Sequence, residues 1–491
     1  MKLERHHGIQ MNLPGAEEWA SGNLNVTGTD VYCSSDGKVR QEWLSGCREE
    51  RALTEDLMVR IAEPSNLASA MEQVVNNGGS PGVDGMTTGE LRKWFSHNLK
   101  ELIVTLRTDR YYPCAVRAVE IPKPEGGIRR LGIPTVKDRL VQQAISQVLS
   151  RRYERIFSRH SYGFRRGRSA HDALEDAGEQ IGSGKNWIVD LDMENYFDTV
   201  NHDRLMWMLG TRIGDKTLLR LIGRFLRAGV LLDGLISQRI SGTPQGSPLS
   251  PLLSNVVLDE LDKELEKRGM SFVRYADDLI IMTGSERSAR RVMTTVTRFI
   301  EDRMKLRVNR EKSKVRRPYE LNFLGHSFHK DGSKGLSKQS ERRFKAKFKQ
   351  LTSRSRGISL EQLVKELNPK LRGWLNYFGH ARMKQRLRNL EGWLNRRIRC
   401  FRLKQCKRAL GIARFLHSLG VPWNRSWTTA GSSKGWHRLS ASHAVHEGMN
   451  TRWLRSIGLF SLSDNYGLMF KETAQYERRT LGGVRGRQSW E

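Results

Sequence analysis

The sequence predicts an α+β chain whose strands fall in its first two thirds and whose last third is helical and strongly basic. Three observations carry this. Up to about residue 335 helical and strand-like runs alternate, and hairpins rather than long crossovers join the strands. After residue 336 the strand patterns stop and apolar residues recur at helical spacing. Positive charge gathers in the same stretch, where residues 340–410 hold 21 Lys and Arg against 4 Asp and Glu.

Residues 1–50 are rich in Gly, Ser and Asn with weak periodicity and are expected to form an irregular extension. From Glu49 to Val75 the pattern is helical, broken at Pro64, and "NNGGSPGVDG" (76–85) is a loop by its Gly, Pro and Asn content. Thr87 and Glu90 have capping-box spacing ahead of "LRKWFSHNLKELIVTL". "AVRAVEIPKPEGGIRRLGIP" (115–134) is predicted to be a hairpin with a basic tip around Gly126–Gly127. The next helix, "KDRLVQQAISQVLSRRYERIF", puts Leu140, Ala144, Val148 and Tyr153 near one face.

"NWIVDLDMENYF" (186–197) begins as a strand and turns after Asp192. "SPLSPLLSNVVLDELDKELEKRG" offers Ser250 as N-cap, Pro251 at the first helical position and Gly269 as a stop, with Leu253, Val257, Leu261 and Leu265 as its apolar stripe. "SFVRYADDLIIMTG" is strand, two-residue turn and strand, with Phe272–Tyr275 and Leu279–Met282 flanking Asp277 and Asp278. In the basic third, Leu387, Leu390, Leu394, Ile398 and Phe401 mark one helix face. A Gly-, Ser- and Trp-rich segment (411–466) and a basic end close the chain.

Composition narrows the function. The 491 residues are enough for several domains, and 38% apolar content with 8% aromatics suits a globular protein. No apolar run approaches the ~18 residues of a membrane span, and "MKLERHHGIQ" lacks the pattern of a signal peptide. Cys33, Cys47, Cys114, Cys400 and Cys406 form no CxxC pair, so neither a disulfide framework nor a zinc ribbon is expected, and a reducing cytoplasm is. The formal net charge of +31 points to a polyphosphate partner, since each neutralised phosphate releases counterions.

Against that charge, the adjacent acids Asp277 and Asp278 between apolar runs need an explanation. Adjacent carboxylates repel, and burying one unpaired is costly. A second apolar strand, "WIVDLD", carries Asp190 and Asp192. Two carboxylate-tipped elements of this kind are what a two-metal site requires, with hard oxygen ligands presented from rigid strands.

These residues resemble the reverse-transcriptase superfamily. "YADD" is similar to its signature tetrapeptide, and "VDLDMENYFD" resembles its first catalytic block. The resemblance implies a right-hand polymerase fold, with fingers and palm followed by an α-helical thumb or X domain and a small basic C-terminal domain. It assigns Asp192, five residues before Phe197, as the metal-binding partner of Asp277 and Asp278, with two Mg²⁺ ions, and leaves Asp190 structural. Phe197 is implied to screen the incoming sugar. "TPQGSPLSPLLSN" (243–255) resembles the block beneath the nascent base pair, with Gln245 as nucleotide contact. "IPKPEGGIRRLGIPTVKDR" resembles the fingers hairpin, with Lys123 and Arg129 facing the triphosphate. "SYGFRRGRSAHDAL", "VNREKSK" (308–314) and "LNFLGHSF" (321–328) match further blocks in order.

"GSPGVDGMTTGEL" and "LRGWLNYFGHARMKQRLRNLEGWLNRRIRCF" (371–401) narrow the resemblance to group II intron-encoded reverse transcriptases and maturases, and residues 432–462 resemble their DNA-binding domain. The expected organisation is an extension (1–50), N-terminal block and fingers (51–185), palm (186–335), thumb or maturase X domain (336–403), DNA-binding-like domain (404–470) and basic tail (471–491). Candidate RNA and DNA contacts are Arg165, Arg166, Arg168, Lys312, Lys314, Arg342, Arg343, Lys347, Arg382, Lys384, Arg386, Arg388, Arg396 and Arg397. No His-Asn-His endonuclease is expected after residue 465. The implied function is binding of the intron RNA, assistance to its splicing and copying of the intron into cDNA at a DNA target from dNTPs, using the primer–template duplex. The expected location is the bacterial cytoplasm, as a nucleoid-associated ribonucleoprotein. A splicing-only maturase and a non-intron reverse transcriptase, such as a phage-defence enzyme, are the alternatives.

Overall fold

A computed structural model describes residues 56–122, 128–194, 196–232, 235–237 and 246–468, with the backbone alone described at 128–130, 197–198, 232 and 235–237. The expected N-terminal extension and basic tail lie outside the described residues. The chain divides into two compact units between Arg317 and Pro318.

Among the described residues the first unit begins with three helices, α1 (Leu57–Ile61), α2 (Pro64–Asn77) and α3 (Leu91–Arg107). Pro64 starts α2 at its first turn, where a missing N–H costs nothing. Thr87 and Glu90 do bond, the Thr87 amide and hydroxyl both donating to the Glu90 carboxylate at 2.7 Å, yet α3 begins only at Leu91. The predicted hairpin is β1 (Val116–Pro122) antiparallel to β2 (Ile128–Ile133). Helices α4 (Val136–Tyr153) and α5 (Ala170–Gly182) follow. Ser169 and Asp172 cap α5 reciprocally.

The central strand β3 (Trp187–Leu191) leads through α6 (Tyr196–Thr199), α7 (His202–Arg212) and α8 (Lys216–Phe225) to the short strands β4 (Val230–Leu232) and β5 (Leu235–Ser237). β4 and β5 extend the first hairpin into a four-stranded sheet, order β2-β1-β4-β5, in which β1 and β4 run parallel. Helix α9 (Ser250–Lys267) buries Leu253, Val257, Leu261 and Leu265, as its stripe predicts. The chain then turns at Gly269, whose φ of 62° is costly for a side-chain-bearing residue. β6 (Ser271–Tyr275), β7 (Asp278–Thr283), α10 (Glu286–Arg298) and β8 (Lys314–Arg316) complete a second sheet, order β6-β7-β3-β8, antiparallel throughout. Its apolar face joins α4, α7 and α9 in one buried core. Among the described residues no helix is long and apolar enough to cross a membrane.

The second unit starts with the hairpin β9 (His326–Phe328) and β10 (Lys334–Leu336). It continues with α11 (Lys338–Leu351), α12 (Leu360–Phe378), α13 (Lys384–Gln405) and α14 (Ala409–Ser418). Four shorter helices follow: α15 (Trp423–Ala430), α16 (Trp436–Leu439), α17 (His443–Gly448) and α18 (Thr451–Ser456). The β9–β10 hairpin, assigned to the palm from sequence, groups here with the helices. The Tyr377 hydroxyl donates to the Leu324 carbonyl at 2.9 Å, and the buried His326 ring lies against Tyr377 and Phe378. On α13 the stripe Leu387, Leu390, Leu394, Ile398 and Phe401 is buried throughout.

Candidate active site

The site grows from β3. Ile188, Val189 and Leu191 are buried, which fixes the strand in the middle of its sheet. Asp190 is only half-buried, and the Arg316 Nε donates to its Oδ2 at 2.9 Å from the neighbouring strand β8. Asp190 is thus salt-bridged to the neighbouring strand.

One residue on, Asp192 is held by its backbone. Its amide donates to the Ser313 hydroxyl at 3.0 Å, and its carbonyl accepts from the Asn309 amide at 2.9 Å. The Met193–Val308 bridge and the Glu194 amide on the Arg307 carbonyl at 2.8 Å continue this pairing. The block "VNREKSK" thus runs alongside the segment that follows β3 and sets its path. Its Lys312 places Nζ 3.7 Å from the Asp192 carboxylate.

Asp277 and Asp278 come from the β6–β7 hairpin. Tyr275 pairs with Asp278, so the two-residue turn is Ala276–Asp277 and Asp278 opens β7, one residue earlier than the sequence suggests. The shift has a local cause: Ala276 adopts a left-handed φ of 57°, the conformation a tight hairpin turn demands. In the β3–β7 register Asp190 faces Ile280 and Leu191 faces Leu279. Asp192 and Asp278 each lie one residue beyond this last pair.

The charges are strongly coupled. Surrounding protein and the charges of Asp277, Asp190 and Asp192 push the Asp278 carboxyl well above the usual carboxylate range, with Lys312 opposing. Asp278 is exposed on the surface, so solvent eases both the burial and the charge contributions without reversing their direction. Burial lifts the Asp190 carboxyl to about 6, against the pull of Arg316 and with a further push from Asp192. Among the described residues no three His, Cys, Asp or Glu side chains are closed into a ready-made metal-ligand set. The arrangement is an open face of hard oxygen donors with surplus negative charge, which a divalent cation fits.

Of the other expected contacts, Lys123 and Gln245 lie outside the described residues, and Arg129 and Phe197 are placed by their backbones alone, in β2 and α6. Arg166, Lys312, Lys314, Arg342, Lys347, Arg382, Lys384, Arg386 and Arg388 are exposed, while Arg168, Arg343, Arg396 and Arg397 are half-buried. Arg165 is a correction. It is 7% exposed, and its guanidinium pairs with Glu154 at 2.6 Å and donates to the Ser158 and Ser161 carbonyls. These bonds tie the loop after α4 together and leave no donor facing a nucleic acid.

Sequence reasoning missed the support beneath the hairpin. Arg274, the residue before Tyr275, is fully buried and ion-paired to the fully buried Asp262 at 2.5 Å. A charged residue inside the apolar strand "SFVRY" was the available signal, because buried charge demands a partner.

Comparison with known proteins follows the same outline. Residues 121–328 match the family described as "Reverse transcriptase (RNA-dependent DNA polymerase)", and residues 341–417 match "Group II intron, maturase-specific domain". Protein YkfC of Escherichia coli is 32% identical over 314 residues, covering 55% of this chain and 82% of YkfC. The group II intron-encoded protein LtrA of Lactococcus lactis subsp. cremoris is 36% identical over 223 residues, covering 45% of this chain and 36% of LtrA. The putative COX1/OXI3 intron 1 protein of Saccharomyces cerevisiae is 35% identical over 169 residues, covering 34% of this chain and 20% of that protein. The matched region thus spans most of YkfC but about a third of LtrA.

Proposed function

The chain belongs to the group II intron-encoded reverse transcriptases and maturases, RNA-directed DNA polymerases with a maturase domain, and from that premise we propose a division of labour along it. The palm polymerises DNA on an RNA template, and the basic helical unit grips the intron RNA and assists its splicing. The observation that carries the polymerase reading is the convergence of β3 and the β6–β7 turn. The charges of Asp192 and Asp277 both act on Asp278, an acidic concentration in a chain with net charge +31.

In this reading Asp192, Asp277 and Asp278 hold two Mg²⁺ ions. When bound, such ions lower the pKa of a primer 3′-hydroxyl and neutralise charge on a triphosphate and its leaving group. The chain's own residues do the positioning. Ser313 and Asn309 fix the Asp192 backbone, and Arg316 keeps Asp190 engaged on β8, away from ligand duty. Lys312, beside Asp192, tempers the surplus charge of the face. Lys123 and Arg129 on the fingers hairpin take the triphosphate, Gln245 contacts the nucleotide and Phe197 screens the sugar. Exposed cations of α11 and α13 supply phosphate contacts to RNA and to the primer–template duplex. The product is intron cDNA made at a DNA target within a nucleoid-associated cytoplasmic ribonucleoprotein, from a 3′ end that another activity provides.

The test is Mg²⁺-dependent extension of a DNA primer on an RNA template, wild type beside Asp277→Ala. Extension by wild type and its loss in the variant is the expected result. A folded wild type that binds intron RNA but extends nothing would leave a splicing-only maturase. Phe197→Val should admit ribonucleotides, and unchanged selection of dNTPs would remove its screening role.

A further inference from the structure

Beneath the catalytic turn lies a buried polar hub that the polymerase reading does not use. The Arg274 side chain is 0% exposed, yet all five of its N–H donors are engaged. Nε and Nη2 donate to the two oxygens of Asp262 at 2.7 and 2.5 Å. Nη1 donates to the Asn255 side-chain oxygen and to the Ala276 carbonyl, both at 2.9 Å, and Nη2 also reaches the Ser161 hydroxyl at 2.7 Å. Asn255 and Asp262 stand seven residues apart, two turns along one face of α9.

The fingers segment enters the same hub. The Tyr162 amide donates to the Arg274 carbonyl and the Arg274 amide to the His160 carbonyl, each at 2.9 Å, so residues 160–162 bond along the outer edge of β6. The Asn255 side-chain nitrogen Nδ2 donates to the Gly163 carbonyl at 2.9 Å. Gly163 lies so close to the turn that a Cβ there would come within 2.2 Å of the Ala276 nitrogen. Ala276 is thus held at its carbonyl by Arg274, and on its nitrogen side Gly163 packs where no side chain would fit. This is also the residue in the left-handed region, a conformation unfavourable for an alanine that persists only where its surroundings over-determine it.

We infer that Arg274 is the positioning residue of the catalytic turn. Through the Ala276 carbonyl it fixes where Asp277 and Asp278 present their carboxylates, and through Ser161 and Asn255 it ties that turn to the fingers segment and to α9. Nothing else so far assigned explains why a fully buried arginine, with its desolvation cost, stands beside the turn: an apolar residue would pack the strand as well. The planar five-donor fork is what the site uses. Lysine has the charge but only three donors and no fork.

This inference rests on the polymerase reading, and the experiment separates the two. Arg274→Lys and Ser161→Ala are compared with wild type in primer extension, and the metal-free proteins are compared by amide hydrogen exchange at residues 275–279. Arg274→Lys should lower kcat at least about tenfold with the KM for dNTP nearly unchanged. It should also raise the Mg²⁺ concentration for half-maximal rate and speed exchange at the turn. Ser161→Ala removes one acceptor and no charge, so it should shift the same readouts in the same direction by less. A folded Arg274→Lys with wild-type kcat, Mg²⁺ dependence and turn exchange would overturn the inference. If Arg274→Lys does not fold, Ser161→Ala decides: a normal kcat with normal exchange overturns it. An inactive wild type would instead sink the polymerase reading, while slower exchange in wild type than in the variants would still place Arg274 as the holder of the turn.

Discussion

The palm sheet and the basic helices of the second unit solve opposite electrostatic problems. On the palm, acids gather in a cationic chain, and the surrounding protein together with the charges of Asp277, Asp190 and Asp192 raises the Asp278 carboxyl. On α13, cations line the exposed faces while Leu387, Leu390, Leu394 and Ile398 are buried beneath them. In the palm a charged group is placed by a web of specific bonds, so one displaced atom matters. On the helix its position follows mainly from periodicity, although Arg386, Arg396 and Arg397 also bond to neighbouring segments, and one lost side chain is one of many. Function should therefore be brittle in the palm and graded in the helices.

The largest expected effect tests the brittle side. Asp277→Ala should cost several kcal/mol of transition-state stabilisation, about 10³-fold or more in extension rate, while filter binding of intron RNA stays near wild type. A proportional loss of RNA binding would erase the contrast. Next, Leu394→Ala on α13 empties a fully packed position, 1% exposed, and should destabilise the helical unit by about 2–5 kcal/mol. Urea unfolding followed by tryptophan fluorescence measures this.

A third prediction concerns the fingers. Asp138 on α4 is 2% exposed and accepts from Thr135, Tyr111 and the Cys114 amide, and burial lifts its carboxyl to about 6. A raised folded-state value means the folded protein holds the proton more tightly than the unfolded chain. The contribution is therefore full below the unfolded value near 4 and is lost as pH rises through about 6. On the order of 3 kcal/mol should disappear across that window, and thermal melts of Asp138→Asn should show a flatter pH dependence there.

The helices provide the smaller effects. Lys384→Ala or Arg388→Ala should each reduce the salt slope of RNA binding by about one unit and weaken affinity without changing extension from a preformed primer–template. Titrations at several salt concentrations would show it, and an unchanged slope would remove that residue from the RNA face. Smallest of all, Arg290→Ala breaks an exposed pair with Glu286 at 2.6 Å and should alter stability by less than about 1 kcal/mol.

Much of the site is legible in the sequence because its chemistry is local. Asp192 ends an apolar strand, Asp277 and Asp278 interrupt another, and the two patterns announce their elements. The turn falls one residue earlier than the sequence suggests, because adjacent aspartates suit a turn equally well at either register, and only the strand pairing Tyr275–Asp278 selects Ala276–Asp277. Arg165 departs from its expected role for a related reason. In "SYGFRRGRS" its charge looks like that of Arg166, and only the fold brings Glu154 beside one and not the other.

By itself the sequence determined what repeats or stands adjacent: the amphipathic stripes of α9 and α13, the paired strands around their acids, the basic last third and the ordered motif blocks. Local periodicity dictates these, since a helix or strand face is set by residues a few positions apart. Tertiary structure alone decided which distant groups meet. Arg274 finds Ser161 from 113 residues away, Asp192 is fixed by Ser313 from 121, and Arg316 reaches Asp190 across 126. Such partners leave no trace in spacing because a buried charge or a loose backbone can be satisfied from any part of the chain that folding brings within about 3 Å.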